Sequence, residues 1–410
     1  MNLLSQLGWL SRDGIIILCA RGVRAFSYGF LSVLLAIYLE ALGLETAQIG
    51  FVLTGSLFGA AVLTLLFSIR AARWGRRRLL VVNAVMMIGA ALVFTVSDGF
   101  WPFFLAALTG TVSVSTSERG AFLSIEQAVL PQTTADANRT QLFAAYNMVS
   151  SLAGALGAIC SGAPLLLESW FGLGQVDAFR QMFLAYSVLA VVVLALLLML
   201  SPSIELAEAQ QTMGRFGLGP SRKMVTKLAV LFSLDSLAGG LIVQSFLAYW
   251  FHSVRGMPLD QLGALFSAAG LLEAVSFFAA ARLARRFGLL NTMVFSHLPS
   301  NILLMLVPLM PSTLLAAVLF LLRQSLSQMD VPTRQSYLMA VVTPEERPAA
   351  AGLTTVARGV SQSVSPALAG LAAQFASATF PFLLCGGLKI IYDVAVYFTF
   401  RSIKPPEESG

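Results

Sequence analysis

The sequence predicts an all-α integral membrane protein with twelve transmembrane helices in two pseudo-symmetric six-helix bundles. Composition, the spacing of apolar runs and a repeat between the halves carry this prediction. Of 410 residues, 57% are hydrophobic and 11% charged, where a soluble domain carries about 25% charged residues. With a mean hydropathy of +0.80 and 29 Phe, too little polar surface exists to cover a water-soluble globule. A soluble enzyme, a nucleic-acid binder and a secreted disulfide scaffold are thereby excluded. The net charge of +6 is placed by membrane topology rather than by a nucleic-acid partner.

A helix needs about 20 apolar residues to cross a bilayer. The first span, 14–40, is too long for a signal-peptide core and is retained. The second, 48–69, stops at the basic run Arg70 to Arg78, and the third, 79–97, stops at the turn Ser97-Asp98-Gly99. The fourth, 101–121, carries the polar run Thr109, Thr111, Ser113, Ser115, Thr116 and Ser117. The fifth and sixth cover 141–166 and 179–200, and the hydrophilic stretch Ser201 to Lys227 follows. The seventh and eighth, 226–250 and 260–281, precede the ninth, 289–309, which ends at Met310-Pro311-Ser312. The tenth, eleventh and twelfth are 313–331, 349–373 and 379–401. The domains expected are an N-terminal bundle over 1–200, a linker over 201–227 and a C-terminal bundle over 228–410.

Lys/Arg asymmetry between loops orients the chain. One side holds Arg12, the Arg70–Arg78 run, Arg119, Arg139, Arg215, Arg222, Lys223, Lys227, Arg282, Arg285, Arg286, Arg334, Arg347, Arg401 and Lys404. The other holds Arg180 and Arg255. Both termini are therefore cytoplasmic. The halves also echo each other: Gly75 of Ala72-Arg73-Trp74-Gly75 and Gly288 of Arg285-Arg286-Phe287-Gly288 lie 213 residues apart. At the same spacing, Gln48-Ile49-Gly50 meets Gln261-Leu262-Gly263. Internal duplication of six-helix units is a plan of secondary transporters.

On these motifs, the whole chain resembles the major facilitator superfamily. The segment Ser68-Ile69-Arg70-Ala71-Ala72-Arg73-Trp74-Gly75-Arg76-Arg77 is similar to the family's loop signature between its second and third helices. It departs at Ser68, where the family has Gly, and at Ala72, where it has a gating Asp. The resemblance implies alternating access and a gating role for Arg73, Gly75 and Arg76. Glu118 and Asp330, at matching repeat positions near the cytoplasmic ends of the fourth and tenth spans, join them, with Arg334. A Gly-Pro signature of drug antiporters is not clearly present in the fifth span.

An ionisable side chain at mid-bilayer costs at least about 2.5–3.5 kcal/mol and is a functional candidate by default. Asp235, on a seventh helix that the resemblance places along the central cavity, and Glu273, on the eighth, are the candidates for proton coupling. The structural alternative for each is a salt bridge to Arg323 or Arg358. Lys389 and Asp393 stand four apart on the twelfth span and read as a private ion pair. His297 is set aside, because the family's ninth helix is peripheral.

In the first half, Arg21 and Arg24 share one face of the first span with Tyr28 one turn on. Arg24 lies ~15 Å deep, and no Asp or Glu is expected at that depth in its half; Glu118 is the nearest. Arg21 snorkels to the cytoplasm or joins Arg24. Arg24 pairs with Glu118, pairs with Asp235, or faces an anionic substrate, whose carboxylate or phosphate suits its planar fork of donors. Arg24, Arg21, Tyr28, Arg323, Asn147 and Gln244 are the substrate-binding candidates.

The expected function is a proton-coupled secondary transporter of a small organic anion or zwitterion; the alternative is a proton-coupled exporter of amphipathic drugs. Two His and three scattered Cys give no metal-site spacing, and no phosphate loop is present. The expectation is accordingly no metal, no cofactor, no nucleic acid and no catalytic residue. Expected partners are the small-molecule substrate, H+ and membrane lipid. The protein is expected as a monomer in a plasma (bacterial inner) membrane.

Overall fold

A computed structural model describes residues 10–115, 120–134, 139–205, 219–343 and 346–403. Among these, ten helices are long and apolar enough to cross a membrane. Their outward faces are apolar, as at Val96, Leu314 and Val188, which suits a lipid solvent rather than water. The fold is the all-helical membrane architecture that the composition predicts.

The chain divides into two compact units. Unit 1 comprises residues 1–44, 55–213 and 258–267; unit 2 comprises 45–54, 214–257 and 268–410. In unit 1, α1 (Arg12–Ala41) is capped by Ser11, whose hydroxyl accepts from the Gly14 N–H at 3.2 Å. It packs against α6 (Arg139–Ile159) and α8 (Gln175–Leu198), with α3 (Arg76–Val96) beyond. Aromatic stacking fills this unit: the Phe94 ring centroid lies 4.8 Å from Phe103 and 5.1 Å from Phe183. In unit 2, α9 (Arg222–Leu241) packs on α15 (Arg347–Ser363) and α17 (Phe380–Phe400), and α12 (Leu289–Leu306) on α17.

Among the described residues, five spans that read as continuous are broken, the fifth span at the tight turn Cys160–Gly162 between α6 and α7 (Ala163–Phe171). The fourth is the largest correction: α4 (Phe100–Ala107) and α5 (Ala121–Val129) are separate helices. Gly110 (φ 62°) and Gly120 (φ 126°) lie between them in left-handed conformations, and the Thr/Ser/Gly run has poor helix propensity. Exposed carbonyls cost several kcal/mol each in hydrocarbon, on the order of a lost hydrogen bond or more, so side chains cover them. The Tyr186 hydroxyl donates to the Thr111 carbonyl at 2.6 Å, and the Ser56 hydroxyl to that of Val112. The seventh span divides into α9 and α10 (Gln244–Tyr249), just beyond Gly239-Gly240.

The tenth divides into α13 (Thr313–Ser327) and α14 (Asp330–Ala340). Pro332 sits in the first turn of α14, and a proline ring clashes with the carbonyl four residues back, here at Gln328. The eleventh divides at Val364 into α15 and α16 (Ser365–Phe375) for the same reason, with Pro366 four residues after Gln362.

The repeat is visible in backbone conformation. Gly75 and Gly288 both have φ 86° and stand at the N-caps of α3 and α12. Gly50, on α2 (Thr46–Trp74), and Gly263, on α11 (Leu259–Phe287), are both close-approach points. A Cβ on Gly50 would stand 2.5 Å from the Pro366 carbonyl oxygen, and one on Gly263 would stand 2.6 Å from that of Ala158.

Candidate functional site

Each unit holds a buried charge cluster beside its broken helices. In unit 1, Arg24 of α1 meets Glu126 of α5, with one guanidinium nitrogen 2.7 Å from each carboxylate oxygen. Both side chains are fully buried. The Tyr146 hydroxyl of α6 donates to the same carboxylate at 2.7 Å. The Arg21 guanidinium lies 4.7 Å over the Tyr146 ring, and that of Arg24 lies 4.3 Å over Phe122. Tyr28 is buried beside Tyr186 at 6.4 Å.

This corrects the expectation of a first half without an acid at the depth of Arg24. A fourth span of 101–121 leaves Glu126 beyond its end. With α4 ending at Ala107, α5 begins at Ala121 and carries Glu126 to a buried position beside Arg24. Arg21 is also buried, at 5% exposure, rather than reaching for solvent.

In unit 2, Asp235 of α9 is not a lone carboxylate. Lys389 of α17 donates to its Oδ1 at 2.6 Å and Arg334 of α14 to its Oδ2 at 2.9 Å. Arg334 also donates to Asp330 at 2.8 Å. Neither Arg323 nor Arg358 supplies these bonds: Arg358 Nε donates to the Ser236 hydroxyl at 2.9 Å, and Arg323 Nη1 to the Gln324 side chain at 2.5 Å. The private Lys389–Asp393 pair is likewise corrected. Asp393 faces His297 Nδ1 at 2.8 Å and accepts from Asn301 Nδ2 at 2.9 Å. Being four apart put Lys389 and Asp393 on one helix face, but neighbouring helices offered each a nearer partner.

The remaining predicted residues are distributed more widely. Glu273, on α11, is half-buried. Gln244 begins α10 and is half-buried, while Asn147 on α6 is exposed. Glu118 and the side chain of Arg73 lie outside the described residues. Gly75 and Arg76 form a fastening point within unit 1: Glu205 accepts from the Arg76 N–H at 2.6 Å and the Arg77 N–H at 3.1 Å. A Cβ on Gly75 would stand 2.9 Å from that carboxylate, so the site needs glycine both for φ and for space. Asp330 and Arg334 belong to the Asp235 network.

His297, Asn301, Glu126 and Lys389 are site residues that sequence reasoning missed or left undecided. Helix-periodic spacing signals only neighbours on one helix. A deeply buried acid or histidine was the available signal for His297, and the family's helix placement argued it away.

Apolar helices that break where buried ion pairs gather are a recurring plan of secondary transporters. A family model described as the Major Facilitator Superfamily matches residues 17–329. The chain belongs to that superfamily and is an integral, multi-pass secondary transporter. It is 26% identical over 425 residues to an uncharacterized membrane protein of Saccharomyces cerevisiae, covering 96% of this chain and 95% of that one. Among solved structures, the nucleoside transporter NupG is similar with a TM-score of 0.75 and 14% identity, over 95% of this chain and 99% of its own. A D-xylose-proton symporter is similar with a TM-score of 0.72 and 14% identity, over 97% and 99%. At these identities the structures show a shared fold.

Proposed function

We propose that the protein is a proton-coupled transporter of a small organic anion or zwitterion, with both termini cytoplasmic. The composition of the unit 1 cluster carries the substrate class. Arg21, Arg24 and Glu126 bring two positive charges and one negative into a buried setting with Tyr28 and Tyr146. A guanidinium in low dielectric favours carboxylate and phosphate groups. Arg24 is oriented by Glu126 and Arg21 lies over the Tyr146 ring, so the two guanidinium groups are held together beside the broken fourth span. Arg323, Gln244 and Asn147 are secondary contacts under the same proposal.

The unit 2 network supports proton coupling. Asp235, within that network, and Glu273, on α11, are the acids proposed for coupling, and Asp235 is held by two cations whose hold a proton would weaken. The D-xylose-proton symporter named above is a precedent for proton coupling on this fold. Gating is proposed at Arg73, Gly75, Arg76 and Glu118 in the first half and at Asp330 and Arg334 in the second.

Proteoliposomes with a trapped pH indicator test this reading against a panel of organic anions, zwitterions and cationic amphiphiles. Proton movement on adding an anion or zwitterion, reduced at least tenfold in Arg21→Gln, is the expected result. A response confined to cationic amphiphiles would replace it with the drug-exporter alternative, and substrate movement without protons would remove the coupling.

A further inference from the structure

His297 lies at the centre of the unit 2 network although α12 contributes none of the acids or cations. It is 2% exposed. Its Nδ1 stands 2.8 Å from Asp393 Oδ1, and its Nε2 stands 3.3 Å from Lys389 Nζ and 3.9 Å from Asp235 Oδ1.

A lysine ammonium has three donors and no acceptor, so the 3.3 Å contact with Lys389 suits an Nε2 that accepts. The matching tautomer carries its ring proton on Nδ1, 2.8 Å from Asp393 Oδ1. Asn301 Nδ2 donates to the second Asp393 oxygen and also stands 3.3 Å from Nδ1. In that tautomer His297 is a neutral imidazole between Asp393 and Lys389.

The helices packed against α12 carry further titratable and charged groups. Helix α17 adds Tyr392, edge-on at 6.1 Å, and, elsewhere along its length, Cys385. Helix α14 adds Asp330 and Arg334, which are bound to each other, and Tyr337, whose hydroxyl donates to the Ile403 carbonyl. Helix α13 adds Arg323, engaged by Gln324. Helix α9 adds Asp235. Within the network, Asn301 Oδ1 is buried with no hydrogen-bond partner, an acceptor free to receive a donor that leaves its present place.

We infer that His297 is a proton-binding site whose occupancy decides which cation holds Asp235. With Nε2 bare, Lys389 bridges Nε2 and Asp235. A proton arriving on Nε2 turns an acceptor into a donor facing the ammonium. Lys389 then loses that acceptor and is repelled, and Nε2 stands 3.9 Å from the Asp235 oxygen that Lys389 occupied. Asp393 stabilises the imidazolium from the opposite side. The proton thus lands on His297 rather than on Asp235, and the released group is Lys389. This deepens the proposed proton coupling and rests on it for its role in transport.

The chain contains two His, so ¹⁵N-labelled histidine gives two imidazoles, and His252→Gln assigns them. With ¹⁵N-lysine added, Lys389 is separable from Lys223, Lys227 and Lys404. The protein in nanodiscs is titrated from about pH 8 to about pH 5, the range in which a histidine ordinarily changes charge. The expected result is an Nδ1–H tautomer at high pH, then protonation of Nε2 with the Lys389 Nζ signal moving at the same midpoint. In Asp393→Asn the joint transition is displaced or lost. Should that variant misfold, co-titration in the parent chain decides the matter alone. A His297 signal that never changes, or changes while Lys389 Nζ stays fixed, overturns the inference. Proton-driven transport alongside a silent His297 would sink this inference alone; a titrating His297 without proton-driven transport would sink the coupling alone.

Discussion

Arg24 and Glu126 meet with a single guanidinium nitrogen 2.7 Å from both carboxylate oxygens, and neither side chain has any exposed surface. Removing one partner from such a pair leaves an uncompensated charge and costs about 3–5 kcal/mol, whereas replacing both with apolar groups is often neutral. Glu126→Ala is therefore expected to lower the thermal midpoint sharply in detergent. Arg24→Met combined with Glu126→Leu is expected to restore it. Equal midpoints for the parent chain and Glu126→Ala would show that the pair holds nothing in place.

Asp235 and Lys389 should be energetically coupled. Contacting residues in one network show interaction energies of about 0.5–3 kcal/mol in double-mutant cycles. The cycle Asp235→Asn, Lys389→Met, read by unfolding, is expected to fall in the upper half of that range. A coupling indistinguishable from zero would mean that Arg334 alone holds the carboxylate.

Within unit 2, the start of α2 lies on α16: the Thr54 hydroxyl accepts from the Ala367 N–H at 2.8 Å, and Gln374 binds both the Ala47 N–H and Glu45. Gly50 and Gly370 make this approach, and Cβ atoms there would stand 2.5 Å from the Pro366 oxygen and 2.6 Å from that of Thr46. Gly50→Val is expected to force the segments apart and to raise the labelling rate of a cysteine placed at Thr54 by tenfold or more. An unchanged rate would show that the contact yields without opening.

Glu346 accepts from the Ser221 side chain and from the backbone N–H groups of Gly219 and Ser221, at the N-terminus of α9. These donors, the Ser221 side chain first, hold its carboxyl below the usual glutamate range. A depressed folded-state value adds stability that is present above the unfolded value of about 4.3. That stability is lost as pH falls through the folded value. The midpoint difference between the parent chain and Glu346→Gln is expected to be full at neutral pH, to begin shrinking below about pH 4 and to vanish only once pH falls below the depressed folded value. A difference that persists in acid would assign the stabilisation to something other than charge.

Much of the fold was legible because a bilayer imposes length and apolarity on every span. Gly75 and Gly288 announced the duplication by position, and both take φ 86°. The break in the fourth span was less legible, since Thr109 to Ser115 are compatible with either a helix or an unwound segment. Losing that break hid Glu126 and left Arg24 without its partner.

The sequence by itself determined the class and the order of the apolar spans, because these depend on local composition. It also singled out Arg24, Asp235 and Lys389 as charges within apolar spans. The tertiary structure alone decided which charge meets which, joining Arg24 to Glu126 across 102 residues and Lys389 to Asp235 across 154. Helices that are apolar on nearly every face carry no stripe to say which neighbour each will pack against. Pairing inside the membrane is therefore set by lateral packing, which brought His297 between Asp393 and Lys389.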